Sequence, residues 1–358
     1  MSAPWSVLIL SRHAPQAASS RLRTFQYIPH LEAAGAQVTV APFFDKAYLQ
    51  TLYRSGGRRI WDVIRAYLRR TQTLVNARRT SVAWVEKELF PFLPGPTESL
   101  LSRLGVPYVV DYDDATFHTY DQHRIGLVRS FLGEKFTPLL RGAHAVTVGN
   151  SYLEGYVRAH GARKVDRIPT VVDLTRYEML PEPSDDEIRI GWIGTPRTVK
   201  YLEQLREPLQ QVALTRKIRL VTIGAPALGD FGINVEQHPW SLATEARLLS
   251  SIHVGVMPLP DEPFERGKCG YKLIQYMACG RPVIASPVGV NADIVTHDVG
   301  YVAVTSDDWI AAFHKLVKDK YLRRCMGEAG RARVECCYSV QAVAPRICTL
   351  LAQASRDY

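Results

Sequence analysis

The sequence predicts an α/β fold: two Rossmann-like domains facing across a cleft. Three observations carry that prediction. Short apolar runs alternate with helix-like segments along the chain, a strand–loop–helix opening occurs twice, and a polar, proline-bearing stretch separates the two occurrences. A length of 358 residues favours two domains over one or three. The composition is 46% hydrophobic and 22% charged, enough to give each half a core. The 24 glycines and 22 prolines form no low-complexity tract, which excludes disorder as the dominant state.

The first opening begins with Val7–Leu10, an apolar run of the buried parallel-strand type. Ser11–Ala18 reads as a loop, Ser19 and Ser20 as caps, and about Arg21–Ala34 as a helix stopped by Gly35. Gln37–Val40 is the next strand, completing β-α-β. Val82–Val85, Pro107–Tyr112 and Ala145–Val148 continue the sheet. The second opening is the strand Glu187–Gly194, the loop Thr195–Thr198, a helix carrying Tyr201, Leu202 and Leu205, and the strand Ile218–Gly224. Val254–Met257, Pro282–Ala285 and Gly300–Val304 follow as strands. Pro181–Glu187 is the predicted linker. The expected division is residues 1–170 as a first domain, 186–337 as a second, and 338–358 as a C-terminal helix.

The charge balance is +9, which suits an anionic partner. The six cysteines lie in the second half without a C-x-x-C pair, so reduced core thiols are expected. No run approaches the ~18 apolar residues that cross a bilayer, and the N-terminus lacks the pattern of a signal peptide, so a cytoplasmic location is expected. G-x-G-x-x-G follows neither opening strand, and G-x-x-x-x-G-K-[ST], H-E-x-x-H and G-x-S-x-G are absent. Nicotinamide, P-loop, zinc-protease and serine-hydrolase chemistry are therefore disfavoured. Asp111, Asp113 and Asp114 read either as a cation cluster or as the polar end of a strand.

The informative stretch runs from Met257 to Asn291. A strand enters a loop with Gly267 and Gly270 bearing Arg266, Lys268 and Lys272, and a helix opens near Gly270 and stops at Gly280. A glycine loop feeding a helix N-terminus offers unpaired N–H groups and a positive dipole end, and the lysines add point charges. A diphosphate suits that cradle. Lys268 and Lys272 are four apart, on one face if Lys268 is already helical. Gln275, three on from Lys272, would face the cleft and offer its amide to ribose.

These residues resemble the family 4 retaining glycosyltransferases of GT-B fold. The resemblance rests on Lys272–Gly289, Ile168–Asp173, Asn150-Ser151 and Ser19–Arg23. It implies an acceptor-binding first domain, a nucleotide-sugar-binding second domain with the tail helix packing back on the first, a nucleoside-diphosphate-sugar donor, a saccharide or lipid-linked acceptor in surface-polysaccharide assembly, retention, and no metal or other cofactor. Two departures stand out: Gly267 and Gln275 occupy the positions of the family's glutamate pair, and Thr195 occupies that of an arginine, with Arg197 and Lys200 nearby. The resemblance and the loop chemistry together assign Lys272, Arg197 and His118 to catalysis. The same reading gives the donor side to Gly194, Thr195, Lys200, Lys268, Gly270, Tyr271 and Gln275. Arg21, Asp113, Asp114 and Glu86 are assigned to the acceptor side. A protein nucleophile is not required if the acceptor attacks on the face the diphosphate leaves. A sugar-nucleotide epimerase of the same shape, a non-catalytic sugar-nucleotide or glycan-binding module, and a metal-dependent transferase using Asp111 and Asp113 are the rival readings.

One segment lies outside this scheme. Residues 54–79 hold eight arginines against one acid, Asp62, with apolar Ile60, Ile64, Tyr67, Leu68, Leu74 and Val75 at helical spacing and Trp61 alongside. This reads either as an interfacial helix on anionic lipid, at the inner face of the membrane, or as a domain helix with a solvated charged face. No nucleic-acid module accompanies the charge, so a nucleic-acid partner is not expected.

Overall fold

The computed structural model describes residues 5–48, 60–184, 186–226 and 228–356. The chain forms two units, Met1–Thr170 with Val343–Tyr358, and Val171–Ala342. Each unit is built on one six-stranded sheet in which every pairing is parallel.

In the first unit the strands are β1 (Trp5–Leu10), β2 (Ala36–Val40), β3 (Val82–Glu86), β4 (Tyr108–Tyr112), β5 (Ala145–Val148) and β6 (Val165–Arg167), ordered β2-β1-β3-β4-β5-β6. The central strands β3, β4 and β5 are buried throughout, as expected when helices cover both faces of a parallel sheet. The helix expected over 21–34 is three pieces: Ala18–Arg23, a 3₁₀ turn Phe25–Tyr27, and Ile28–Ala33. Pro29 explains the last break, because it lacks the N–H that a continuous helix needs there and is tolerated in a first turn.

The first of these helices is fastened to the sheet by a buried ion pair. Arg23 donates to both carboxylate oxygens of Asp111 at 2.9 and 2.6 Å, and to the Ile168 carbonyl at 3.0 Å. Thr147 donates to the same carboxylate. Asp111 is thereby spent on structure.

The second unit contains β7 (Ile188–Ile193), β8 (Ile218–Ile223), β9 (Asn234–His238), β10 (Val254–Met257), β11 (Val283–Ala285) and β12 (Gly300–Val302), ordered β12-β11-β10-β7-β8-β9. Ile188, Ile190 and Trp192 of β7 pack into one core cluster and Ile193 into another, the period-two alternation of a sheet buried on both faces. Tyr201, Leu202 and Leu205 lie on a 3₁₀ segment, Val199–Leu205, which precedes the α-helix Arg206–Ala213.

The linker expectation is corrected. The stretch 181–187 is no linker at its start: Arg281 donates to the Leu180 and Pro181 carbonyls at 3.0 and 3.2 Å, and Arg323 to Glu182. The units divide instead at 170/171 and 342/343. The sulfurs of Cys336 and Cys337, adjacent at the end of the helix Lys320–Cys337, lie against one another. The C-terminal helix Val340–Ala354 has its residues from Val343 onward in the first unit, where Arg346 donates to the Arg167 carbonyl at 3.2 Å.

Removing the Asp111 carboxylate strands a buried guanidinium. Asp111→Ala is expected to cost about 3–5 kcal/mol in denaturant unfolding. A loss under ~1 kcal/mol, the size of an exposed pair, would contradict that role.

Candidate anion-binding site

The second sheet reverses its winding at β7: β8 and β9 lie on one side, β10 to β12 on the other. The connections leaving β7 and β10 therefore diverge, and ligands of doubly wound sheets collect at such a switch point. The residues there come from both connections.

After β7, Gly194 donates to the Ile223 carbonyl at 3.0 Å and the chain turns at Thr195–Thr198, closed by Thr198 N–H to the Thr195 carbonyl at 2.9 Å. Thr195, Arg197 and Lys200 are exposed on this turn, and Lys200 Nζ lies 5.2 Å from the Tyr201 ring. After β10 come the short helix Pro263–Arg266, the turn through Gly270, and the helix Tyr271–Ala278. Gly270 opens that helix at φ +65°, and a Cβ there would meet Ile294 Cδ1 at 2.2 Å, so no other residue fits without movement. Tyr201 donates to the buried Glu265, tying the two connections together.

The helix is locked to the strand ends through Tyr276. Its hydroxyl accepts from Ile193 N–H at 3.0 Å and donates to the Val256 carbonyl at 3.3 Å. Gly255 makes room, since a Cβ there would meet the Tyr276 ring at 2.2 Å. This places Lys272 against β7, with Nζ 4.3 Å from the Trp192 ring centroid. Lys272 forms no ion pair among the described residues. Burial, and then the nearby Lys268 ammonium, pull its pKa down to about 7.

Two donor-side expectations change. The helix starts at Tyr271, so Lys268 sits in the preceding turn, its Nζ 4.7 Å from the Phe264 ring, rather than on the helical face of Lys272. Gln275 is buried rather than turned to solvent, and its amide donates to the Tyr177 hydroxyl at 2.9 Å. That hydroxyl donates to Glu245 at 2.9 Å and lies 3.4 Å from the Tyr271 hydroxyl. A glutamate at 275 would need a proton from a tyrosine already committed to Glu245; glutamine supplies one instead.

The residues expected on the acceptor side lie in the first unit, near the switch between β1 and β3. Glu86 is buried and accepts from Ser20 Oγ at 2.6 Å, Arg12 N–H at 2.9 Å and Ser19 Oγ at 3.0 Å. Burial raises its pKa against the pull of Lys87. Ser19 also donates to Asp113 at 2.9 Å, and Lys87 pairs with Asp113 at 2.8 Å. Burial opposes ionisation of Asp113, but Lys87 and Arg23 hold its pKa below the usual carboxylate range. Asp114 is half-buried, its carbonyl accepting from Thr116 N–H at 2.8 Å. Arg21 reaches the Pro15 carbonyl at 3.5 Å. His118 stands apart from this group: its Nδ1 engages Asp121 at 2.8 Å and its Nε2 the Tyr152 hydroxyl at 2.7 Å, so neither ring nitrogen is open to a ligand.

Residues 187–319 match the family described as glycosyl transferases group 1. Among solved structures the chain is similar to sucrose-phosphate synthase from Thermosynechococcus elongatus, with TM-score 0.73 and 16% identity over 99% of this chain and 100% of that one. It is also similar to Anabaena HepE in complex with UDP, with TM-score 0.70 and 14% identity over 98% and 100%. HepE in complex with UDP-glucose matches with TM-score 0.70 and 15% identity over 97% and 99%. The fold is that of GT-B glycosyltransferases. No protein of curated function matches the sequence.

Within this GT-B fold, sequence reasoning missed the partners of the buried charges that follow β3. Glu88 takes Arg12 and Lys135, each at 2.5 Å, and the Tyr120 hydroxyl at 2.8 Å. Lys87 adopts φ +67°, a strained conformation for a side-chain-bearing residue, and thereby reaches Asp113. The run Glu86-Lys87-Glu88 after a strand was the available signal; Lys135 offered none. His13 was likewise passed over. Burial, then Arg12 and Lys87, push its pKa down to about 3, so it is neutral against Phe44.

The lysine gives a direct test. By heteronuclear NMR, the Lys272 ε-methylene is expected to titrate with a midpoint of about 7. In Lys268→Ala the midpoint moves up, because a like charge has gone. An unshifted midpoint near the ordinary lysine value of ~10.4 would show that the amine is solvated.

Proposed function

We propose that this protein moves a sugar from a nucleoside diphosphate to a saccharide or lipid-linked acceptor, with retention of configuration and without a metal ion. The observation that carries the proposal is Lys272: a half-buried amine with no ion pair among the described residues, over Trp192, at the start of a helix opened by Gly270. The match of residues 187–319 to glycosyl transferases group 1 supports it, as do the UDP and UDP-glucose complexes of HepE.

In this reading the diphosphate lies against the N–H groups opening the helix Tyr271–Ala278, with Gly194 allowing close approach and Tyr271 and Thr195 on its flank. Lys272, half deprotonated near neutrality when alone, takes a full charge when the anion arrives. Arg197 and Lys200, exposed on their turn, close on the outer phosphate with Lys268. These fixed positive groups stabilise the charge that grows on the leaving diphosphate. The acceptor hydroxyl attacks on the leaving face and its proton passes to the diphosphate oxygen, so no protein carboxylate need become a nucleophile. Glu86, Asp113, Asp114 and Arg21 shape the acceptor side. A cation held by Asp111 and Asp113 is not favoured, since Arg23 and Lys87 occupy those carboxylates.

The reaction fits polysaccharide assembly in the cytoplasm. No helix among the described residues is long and apolar enough to cross a membrane.

Titration calorimetry with UDP and GDP tests the donor site. At least one is expected to bind, taking up nearly one proton at pH 8 in buffers of differing ionisation enthalpy, because binding raises a pKa of about 7. Lys272→Ala is expected to abolish the uptake and to weaken binding about 10²-fold, as loss of a charge-assisted contact does. Binding of neither nucleotide, or equal binding by the variant, would refute the assignment. Donor consumption without any acceptor, yielding an isomeric sugar nucleotide, would make the protein an epimerase instead.

A further inference from the structure

The helix Ile60–Asn76 buries Ala66, Arg70 and Leu74 and leaves a large apolar stripe outside. Ile60, Trp61, Ile64, Leu68 and Val75 are each 40–70% exposed. At 100° per residue they fall within one arc of about 100°, centred about 130° round the helix from the packed face. Arg54, Arg58 and Arg59 of the basic segment lie outside the described residues.

The stripe continues onto a second element. Tyr67, on the same helix, donates to the Pro91 carbonyl and stacks on Phe90. Phe92 accepts no shelter there: it is 48% exposed, and its N–H donates to the Tyr120 hydroxyl at 3.1 Å. Tyr120 belongs to the helix His118–Asp121, which packs on the helix Gly126–Leu132. Ile125, Leu127 and Phe131 of that region are 50–68% exposed. Between the first helix and the 90–100 segment runs an apolar groove of about 470 Å³, lined by Tyr67, Thr71, Phe90, Leu93, Pro96 and Leu100.

Basic residues outnumber acids around these apolar groups, with Asp121 and the exposed Glu134 flanking the second helix. Arg65, Arg78, Arg79, Arg124 and Arg129 are exposed. Asp62 is the one acid of Ile60–Asn76, and Gly126–Leu132 has none.

We propose that this surface docks on an anionic lipid bilayer, with the apolar stripe and Phe92, Leu127 and Phe131 in the headgroup–acyl boundary, the groove receiving one hydrocarbon chain, and the arginines on lipid phosphates. Apolar side chains as large as these find no partner on a nucleic acid backbone. A second copy meeting the same face about a two-fold axis would set arginine against arginine. A bilayer satisfies both components at once, since insertion and attraction to anionic headgroups add. Docking stands independently of the sugar-transfer reading. Only the consequence that the acceptor is lipid-linked rests on that reading.

Co-sedimentation of the full chain with vesicles of phosphatidylglycerol and phosphatidylcholine, and of phosphatidylcholine alone, tests it at low and high salt. Strong binding is expected only with the anionic vesicles, weakened by salt. The double variant Trp61→Glu and Leu68→Glu is expected to bind about tenfold or more weakly, as loss of two inserted side chains requires. Its melting temperature and UDP affinity should equal those of the wild type, which separates lost docking from lost folding. Arg65→Glu with Arg124→Glu should abolish the preference for anionic lipid. Absence of vesicle binding by a wild type that melts cooperatively overturns the proposal, whether or not UDP binds. So does a concentration-dependent dimer in light scattering that Trp61→Glu dissolves while vesicles leave it untouched. Failure of UDP binding with vesicle binding intact would remove the transferase reading and leave docking in place.

Discussion

A parallel sheet sends every strand end of one polarity to the same edge, and a sheet that winds outward in both directions from its first strand must part its connections there. That constraint decides where the connections of each unit leave a gap. In the second unit the connections part between β7 and β10, and the residues set beside the gap are a glycine, a turn, a helix start and a lysine. The first unit parts between β1 and β3 in the same way, and its gap is filled with paired charges rather than left to an unpaired one.

The contrast between the two gaps is one of electrostatic balance. Around Glu86 and Asp113 each carboxylate meets hydroxyls, an N–H or an ammonium, so the buried charge is compensated and the geometry fixed. Lys272 has an indole face, which compensates an ammonium only in part, and a neighbouring cation, which opposes it, and with burial these lower its pKa. An anion beside such an amine would restore its charge. Tyr276 and Gly255 matter because they hold the helix close enough for the amine to lie there.

Beneath the helix, the shell of Tyr177, Glu245, Tyr271 and Gln275 gives a physical meaning to a departure from the family pattern. One hydroxyl proton serves Glu245, and the amide of Gln275 serves the same oxygen as donor. The substitution of amide for carboxylate is therefore matched to its surroundings, and the positive field over the helix start is left without an acidic neighbour at that position.

The sequence by itself determined the two-fold α/β plan, most strand positions and the glycine–lysine character of the loop before the helix, because burial on both faces and positive-φ turns restrict residue type locally. The amphipathic segment around 60–76 was legible for the same reason, as periodicity. Which of its faces is buried was not legible: Arg70 lies inside and Trp61 outside, the reverse of what residue type suggests. The fates of Gln275, His118, Asp111 and Lys87 were equally hidden, because hydrogen-bond partners such as Tyr177, Tyr152, Arg23 and Asp113 come from distant parts of the chain. Spacing along one strand or helix fixes a residue's face; only tertiary packing decides whether that face meets solvent, a partner charge or an aromatic ring.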